Sequence, residues 1–534
     1  MRFDKRFSAR AAVAAGLVAL VVSVFGPGPV HAQTRPTMPP ATQPGSVDRP
    51  MTIDDAVAMA LEQNLDLQVQ RINPQIRDLD IAVSRGNYAP ILNATTNLVD
   101  QTQPPSSLLS GNTSQLTTGR STVDFGVAQQ TPWYGGSYNF SWSNGRTTTN
   151  NIYTSFDPQL TANISASYTQ PLLRNFKIDG TRQQLLVSQK NREIADTQLQ
   201  QSIANTVRSV RNAYYDLMYS IGNLNVQRQS LELAQQSLKD NRARVEIGTM
   251  APLDIVQAEA EVATREEAVI LAEAAIERQQ DAVRALVFNP KSADFWTARI
   301  LPTESVSFQP TAVDIDSAVQ NALSQRTDLA VARKNLEAND VNIRYFDNQS
   351  LPDLNASVNY AAQAIGGVGL RRGPGDGLLP GPVIGTVERS YWETLGTTFA
   401  GDFPGWTFSL DMSYPLGRSA SEANEARARL QQSQQQRAIE ALQLDVATQV
   451  REAGRNVQTN AKRVEATRAS RALAEKRLEA EEKKYQAGMT SSFFVLQAQR
   501  DLNVARNSEL LALVEYAKSV VNYGAVQQAP LTGQ

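Results

Sequence analysis

From Ile203 onward the apolar positions fall at 203, 207, 210, 214, 217, 221 and 224, held by Ile, Val, Val, Tyr, Leu, Ile and Leu. An alternating four-three spacing of this kind is the seam of a left-handed coiled coil. It carries on to Leu231, Leu238 and Val245, with Arg228, Gln235 and Arg242 as polar interruptions. The pattern predicts one helix over 178–247, roughly 105 Å long at 1.5 Å per residue. Gly248 then supplies a stop and Pro252 a start, because glycine takes the left-handed backbone of a helix end and proline suits a first turn. Val262, Val269, Ile276 and Val283 recur every seven residues, which predicts a return helix over 252–287.

The same hairpin is written twice. Val210 and Arg211 recur as Val450 and Arg451, Ala213 as Ala453 and Leu238 as Leu478. Gly248 recurs as Gly488, and Gln257 and Ala258 as Gln497 and Ala498, all 240 positions later. The second copy predicts a long helix over 419–487 and a return helix over 491–524. A second offset, of 262 positions, relates Ala56, Val57, Ala60, Leu61 and Gln63 to Ala318, Val319, Ala322, Leu323 and Gln325. It also relates Pro90, Leu92 and Asn93 to Pro352, Leu354 and Asn355. The chain is therefore a duplication, with copies at 52–287 and 314–524. A proline-bearing linker, 288–313, joins them. The first helix of copy one is expected from Ile53 to about Tyr88, kinked near Pro74.

Between the short and long helices of each copy the period changes to two. Leu160, Ala162, Ile164, Ala166 and Tyr168 alternate with Thr161, Asn163, Ser165 and Ser167. Trp406, Phe408, Leu410, Met412 and Tyr414 alternate with Thr407, Ser409, Asp411 and Ser413. Strands with one apolar and one polar face suit a transmembrane barrel, apolar to lipid and polar to lumen; a soluble β-sandwich is the plainer reading of the strands alone. Trp133, Trp142, Trp392 and Trp406 lie in or beside these segments, where interface girdles belong. Copy two shows two strands, within 354–414. Copy one shows four candidates, near 92–99, 122–129, 137–143 and 160–168. The middle pair, with Trp133, Tyr134, Gly135 and Gly136 as its turn, is either part of the barrel or a surface hairpin. The segments 101–121 and 363–404 read as long, weakly ordered loops. Four strands cannot close a barrel, which takes about eight at the least. Open edges do not persist in lipid, so the chains must assemble into a closed ring.

Composition narrows the function. Arg2, Lys5, Arg6 and Arg10 precede an apolar run and a small-residue site at Val30, His31 and Ala32. This reads as a secretory signal peptide over 1–32, followed by a flexible stretch over 33–51. A short tail, 525–534, ends the chain. There is no cysteine and the single histidine is His31. Disulfides, thiolate or imidazole metal sites and most acid–base constellations are thereby removed. With 51 Lys and Arg against 53 Asp and Glu, the balance argues against nucleic acid as a partner. The many Glu and Asp lie among Lys and Arg on helix faces, where solvated ion pairs are the default. No cofactor motif is present and an enzyme is not expected. A coiled-coil structural or adhesive envelope protein would explain the helices, but neither the two-faced strands nor the duplication.

The paired Gly turns at 248 and 488, with Gln170, Pro171, Leu172 and Leu173 and then Tyr414, Pro415 and Leu416 closing the strands, resemble the TolC-type outer membrane efflux proteins over nearly all of 52–524. The resemblance implies a fold that is mostly α with a transmembrane β-barrel portion. It implies a homotrimer in Gram-negative outer membrane lipid, a barrel continuous with a periplasmic helical tunnel, and four strands per protomer. It implies a passive exit duct in tripartite efflux or type I secretion, working with a periplasmic adaptor (membrane fusion) protein and an inner-membrane transporter. Adaptor docking would fall on the hairpin tips: Arg244, Gly248, Thr249, Met250 and Ala251 in one, Lys484, Tyr485, Gly488, Met489 and Thr490 in the other. The bland reading of both is a plain helical turn. A tip gate is implied at Asp254, Tyr485, Phe494 and Gln497, with a hydrogen bond expected between Asp254 and Tyr485. This chain departs from the pattern where an arginine would fall on Thr490. It departs again where two acidic residues would fall on Phe494 and Gln497, which argues against cation focusing at the mouth. Phe494 reads either as an apolar constriction or as a packed coil residue, and packing is the expectation.

Overall fold

The computed structural model describes residues 47–105, 114–292, 295–375, 380–417 and 419–527. The expected signal peptide, the stretch 33–46, part of each long loop and the last seven residues lie outside these. Strand β1 (Val47–Met51) leads into helices α1 (Ile53–Gln63) and α2 (Leu65–Gly86). Four strands follow, β2 (Ile91–Gln103), β3 (Leu116–Gln130), β4 (Ser137–Thr149) and β5 (Phe156–Pro171). The first hairpin is α3 (Gly180–Glu246) and α4 (Pro252–Val287). Strand β6 (Ala298–Pro302) lies in the linker, and copy two opens with α5 (Ile315–Gln325) and α6 (Thr327–Gln349). Strands β7 (Asp353–Arg372) and β8 (Val383–Arg389), helix α7 (Tyr391–Ala400) and strand β9 (Pro404–Ser413) come next. The second hairpin is α8 (Ala420–Gln486) and α9 (Ser492–Gln527). Both long helices have 67 residues and both return helices have 36, so the duplication is kept in length as well as in sequence. No helix among the described residues is long and apolar enough to cross a membrane.

The antiparallel sheet runs β2-β3-β4-β5-β7, with β8 and β9 sharing the far edge of β7. Strand β8 pairs with residues 367–372 of β7 and β9 with 353–362. The sheet is therefore six strands wide, not the four implied by the resemblance. The middle pair of copy one is part of it: β3 and β4 form continuous ladders with each other and with both neighbours. The β3–β4 turn is pinned at the base of the sheet. Tyr134 stacks on Phe176 at 4.9 Å, and the Gln170 amide donates to the Tyr134 carbonyl at 2.7 Å.

Register makes the two faces chemically distinct. Phe125, Trp142, Ile164 and Ala362 line up across four strands on one face. Val127, Phe140, Ala166, Tyr360 and Trp406 form the next row. On the other face Ser141 and Ser165 hydrogen-bond at 2.7 Å, and Ser357 and Ser409 at 2.6 Å. A hollow of about 530 Å³ opens there among Asn97, Thr122, Asp124, Ser143, Thr161 and Asn163. The segment 363–404, read from sequence as a loose loop, instead holds the end of β7, β8 and α7. Likewise β2 and β3 reach well into 101–121.

The main core surrounds the middle of α3. Val210, Tyr214, Leu217 and Leu224 are buried there, packed with Ile276 and Val283 of α4 and with Met51, Ala56 and Ala60. The end of the stretch expected to be flexible is a strand, because β1 finds a parallel partner in β6 of the linker. The free edge of β6 is closed by side chains of α4. Gln280 donates to the Ile300 carbonyl at 2.7 Å and accepts from its N–H at 2.9 Å, and Arg284 donates to the Ala298 carbonyl at 2.7 Å. An exposed edge would otherwise invite foreign strands.

The first helix of copy one breaks at Asn64, not at Pro74. Asn64 has extended backbone, ends α1 and caps α2 by accepting from the Leu67 N–H at 3.0 Å. Its amide also donates to the Leu286 carbonyl at 3.0 Å. A capping side chain tied to another helix decides the break. Pro74 continues buried inside α2.

Candidate functional site: the paired helical tips

Both hairpins turn by the same backbone device. In the first, the Gly248 N–H bonds the Val245 carbonyl and the Thr249 N–H bonds the Arg244 carbonyl, each at 2.9 Å. In the second, Gly488 bonds Tyr485 at 3.1 Å and Met489 bonds Lys484 at 2.8 Å. This pair of bonds is a Schellman cap, which needs a left-handed residue at its centre. Gly248 has φ +77 and Gly488 has φ +72, with open space where a side chain would point. Substitution there strains the backbone without any clash. Gly248→Val or Gly488→Val should therefore cost about 1–2 kcal/mol locally and reshape the tip. The expected result is impaired export with normal assembly, checked by susceptibility to exported compounds; wild-type export by both would count against the tips as a docking site.

The other expected tip residues fall as follows. The Arg244 guanidinium lies 4.3 Å over the Tyr485 ring. Thr249 Oγ1 donates to the Arg244 carbonyl at 3.0 Å. Met250 Sδ lies 3.8 Å from the Tyr485 hydroxyl. Ala251 is the N-cap of α4 and makes no side-chain cap bond. Lys484 pairs with Glu481 at 2.8 Å. Met489 is exposed and Thr490 half-buried.

The gate differs from expectation at its centre. Asp254 and Tyr485 do not bond each other. Tyr485 donates to Asn241 Oδ1 at 3.0 Å, and Asp254 accepts from Ser492 Oγ at 2.9 Å. The reason lies in the packing. Asn241 is buried on α3 and faces α8, while Ser492 begins α9 opposite the first turn of α4. Burial pushes the Tyr485 hydroxyl up; Arg244 opposes the shift, while Asp254 and Asp240 add to it. Phe494 is half exposed, its ring meeting that of Phe493 edge-on at 5.5 Å; it is not buried in the coil as expected. Gln497 donates to Asp501 one turn along α9, at 2.9 Å.

Sequence reasoning missed several members of this contact. Gln227, Ala234 and Asn241 are buried at seven-residue spacing on α3, which was the available signal, but two of the three are polar and read as solvated. Asn503 donates to Gln227 at 3.3 Å and Gln499 to Ser237 at 3.1 Å. Glu261 of α4, only 5% exposed, takes Arg265 of its own helix and Arg500 of α9, both at 2.6 Å. Burial pushes the Glu261 carboxyl up, but the two arginines outweigh it and hold it below the ordinary carboxylate range. Below the main core the two hairpins are thus joined by polar links. Also missed were exposed apolar side chains at the tips, among them Ile247, Leu253 and Phe493. Among the described residues no group of acidic, His or Cys side chains could hold a metal ion.

The family model for outer membrane efflux proteins matches residues 56–287 and 318–522. No curated sequence matches the chain. Among solved structures it is similar to the CmeC outer membrane channel of Campylobacter jejuni, at 15% identity and a TM-score of 0.61, covering 89% of this chain and 85% of that one. It is similar to VceC of Vibrio cholerae, at 14% identity and a TM-score of 0.61, covering 89% and 95%. It is similar to the MtrE outer membrane channel of Neisseria gonorrhoeae, at 17% identity and a TM-score of 0.59, covering 89% and 88%. With its duplicated hairpins, its two-faced sheet and a family match over both copies, the chain belongs to the outer membrane efflux protein family, whose members are channels and not enzymes.

Proposed function

We propose that three copies of this chain close into a passive duct across the outer membrane. Each gives its sheet, six strands wide, to one barrel and its two hairpins to a periplasmic tunnel. The observation that carries this is the open sheet. Among the described residues strand β2 pairs only with β3, and β8 and β9 pair only with β7, so both edges are free there. In lipid such edges must be paired, and a ring of identical copies pairs β2 of one with the β8 and β9 edge of the next. Three sheets of six make a barrel of roughly 18 strands, a size at which porin-type barrels keep an aqueous channel.

The tips dock a periplasmic adaptor, which links the duct to an inner-membrane transporter that supplies the energy. Exposed Ile247, Leu253, Met489 and Phe493 beside the Gly turns support this reading, since apolar side chains gathered on a soluble surface mark contact sites. Phe494 and Gln497 stand where the resemblance would put carboxylates, which argues against cation focusing at the mouth.

The test is the mass and shape of the protein extracted in mild detergent. Light scattering should give three copies. Imaging should show a membrane collar on a rod about 100 Å long, the length of a 67-residue helix. A compact monomer would overturn the duct.

A further inference from the structure

Helix α7 is amphipathic the wrong way round for water. Its inward side carries Thr394 and Thr398, 2% and 1% exposed, while Trp392 is 76% and Phe399 66% exposed. The threonines bond backward along their own helix. Thr394 Oγ1 donates to the Ser390 carbonyl at 3.0 Å, and Thr398 Oγ1 to the Thr394 carbonyl at 2.9 Å. Thr398 Oγ1 also lies 3.2 Å from the Ala162 carbonyl of the sheet, and the Tyr391 hydroxyl donates to Asn144 Oδ1 at 2.8 Å. The single charged side chain of α7, Glu393, is occupied in a capping box with Ser390.

The helix has a prepared seat on the apolar face of the sheet. Ala162, Ala362 and Ala364 are buried beneath it, whereas Leu92, Leu98, Trp406 and Phe408 on the same face are exposed. A Cβ on Gly366 would fall 1.8 Å from Thr394 Oγ1, so only glycine admits the helix this close. The seat is also where the wall is thinnest. Strand β8 pairs with β7 from residue 367 onward and β9 up to 362, so neither ladder reaches 364–366. Helix α7 covers that gap. It lies over its own β5 and β7, with Thr398 bonded to the Ala162 carbonyl of β5 and Thr394 against Gly366 of β7.

We propose that α7 is a lipid-facing helix laid on the outside of the barrel wall, with Trp392 and Phe399 against the acyl chains of the outer leaflet. This rests on the reading of the sheet as part of a membrane barrel. Apolar side chains out and hydroxyls in, with those hydroxyls bonded to backbone carbonyls, is the arrangement hydrocarbon demands and water disfavours. The outward side chains continue the apolar face of the sheet. The helix lies toward the strand ends remote from α3 and α8, hence the outer leaflet. Tyr391 and Trp392 at its start are the residue types favoured at a membrane–water boundary.

The test uses single-tryptophan chains in phosphatidylcholine vesicles containing lipid brominated on the acyl chain. One keeps Trp392, the other Trp406, and the remaining tryptophans become Phe. Trp392 should lose emission to the bromolipid about as strongly as Trp406 and be shielded from iodide in the buffer. Quenching of Trp392 by iodide alone would place α7 in water and overturn the proposal. Quenching by neither would place it in a protein contact and also overturn it. If Trp406 too escapes the bromolipid, the barrel reading itself fails. Should the single-tryptophan chains not insert, Trp392→Phe in the otherwise native chain gives the same answer. Its bromolipid-quenchable emission should fall, and an unchanged quenchable fraction would overturn the proposal.

Discussion

Asp254→Ala combined with Tyr485→Phe is expected to raise the single-channel conductance several-fold while leaving assembly of the proposed trimer unchanged. The double change removes two of the hydrogen bonds that tie the tip of one hairpin to the other, Ser492 to Asp254 and Tyr485 to Asn241. A bond to a carboxylate contributes about 1.5–3 kcal/mol and a neutral one about 1. Together they amount to about 2–4 kcal/mol per protomer, enough to multiply the open population more than tenfold. The apolar packing of Val210, Tyr214 and Leu217 lies higher in the hairpin and is untouched, so the tip loosens without unfolding the coil. Acid should act the same way at Glu261. Its carboxyl is held below its ordinary value of 4.5 in the folded chain. The link to Arg265 and Arg500 is therefore complete above that pH and is lost as the pH falls through the lowered value. Bilayer recordings check both. Unchanged conductance in the double variant would show that these contacts do not hold the tip.

Tyr214→Ala should be the most damaging single change to stability, at about 3–5 kcal/mol by analogy with other buried aromatic residues. Tyr214 is fully buried in the main core, and its hydroxyl donates to the Met51 carbonyl at 2.8 Å. Truncation empties a ring-sized space among α3, α4 and α1 and frees β1 from the bond that pins it. Tyr214→Phe removes only the hydrogen bond and should cost about 1 kcal/mol. Thermal unfolding followed by helical circular dichroism separates the two; equal midpoints would show that the ring itself contributes little. Burial, aided by Glu304, pushes the Tyr214 hydroxyl up to about 12 from its ordinary 10.0. A raised folded value means that stability present at neutral pH is lost as the pH climbs from about 10 to about 12. There the unfolded chain releases this proton and the folded chain keeps it.

The repeats, the long helices, the two-faced strands and the Gly turns were legible in the chain alone. Each is written in local spacing: a 4-3 seam can bury only as a coil, a period of two can present two chemistries only as a strand, and the left-handed cap favours glycine. The two offsets, 240 and 262, placed a long and a return helix in each copy, and the folded chain gives them equal lengths of 67 and 36 residues. Tertiary structure decided whatever required knowing which element lies beside which. Alternation showed that 122–129 and 137–143 are strands, but only the ladders to β2 and β5 place them inside the sheet. The single helix expected from Ile53 to about Tyr88 is divided at Asn64, whose amide reaches the Leu286 carbonyl of another helix. Asp254 was recognisable as a tip carboxylate, yet its partner is Ser492, set by how α4 and α9 face one another. Helix α7 was hidden for the same reason. A threonine-in, tryptophan-out pattern over ten residues looks like loop until an alanine- and glycine-lined seat is seen beneath it. Spacing along a chain fixes which side chains share a face, and only packing fixes what that face meets.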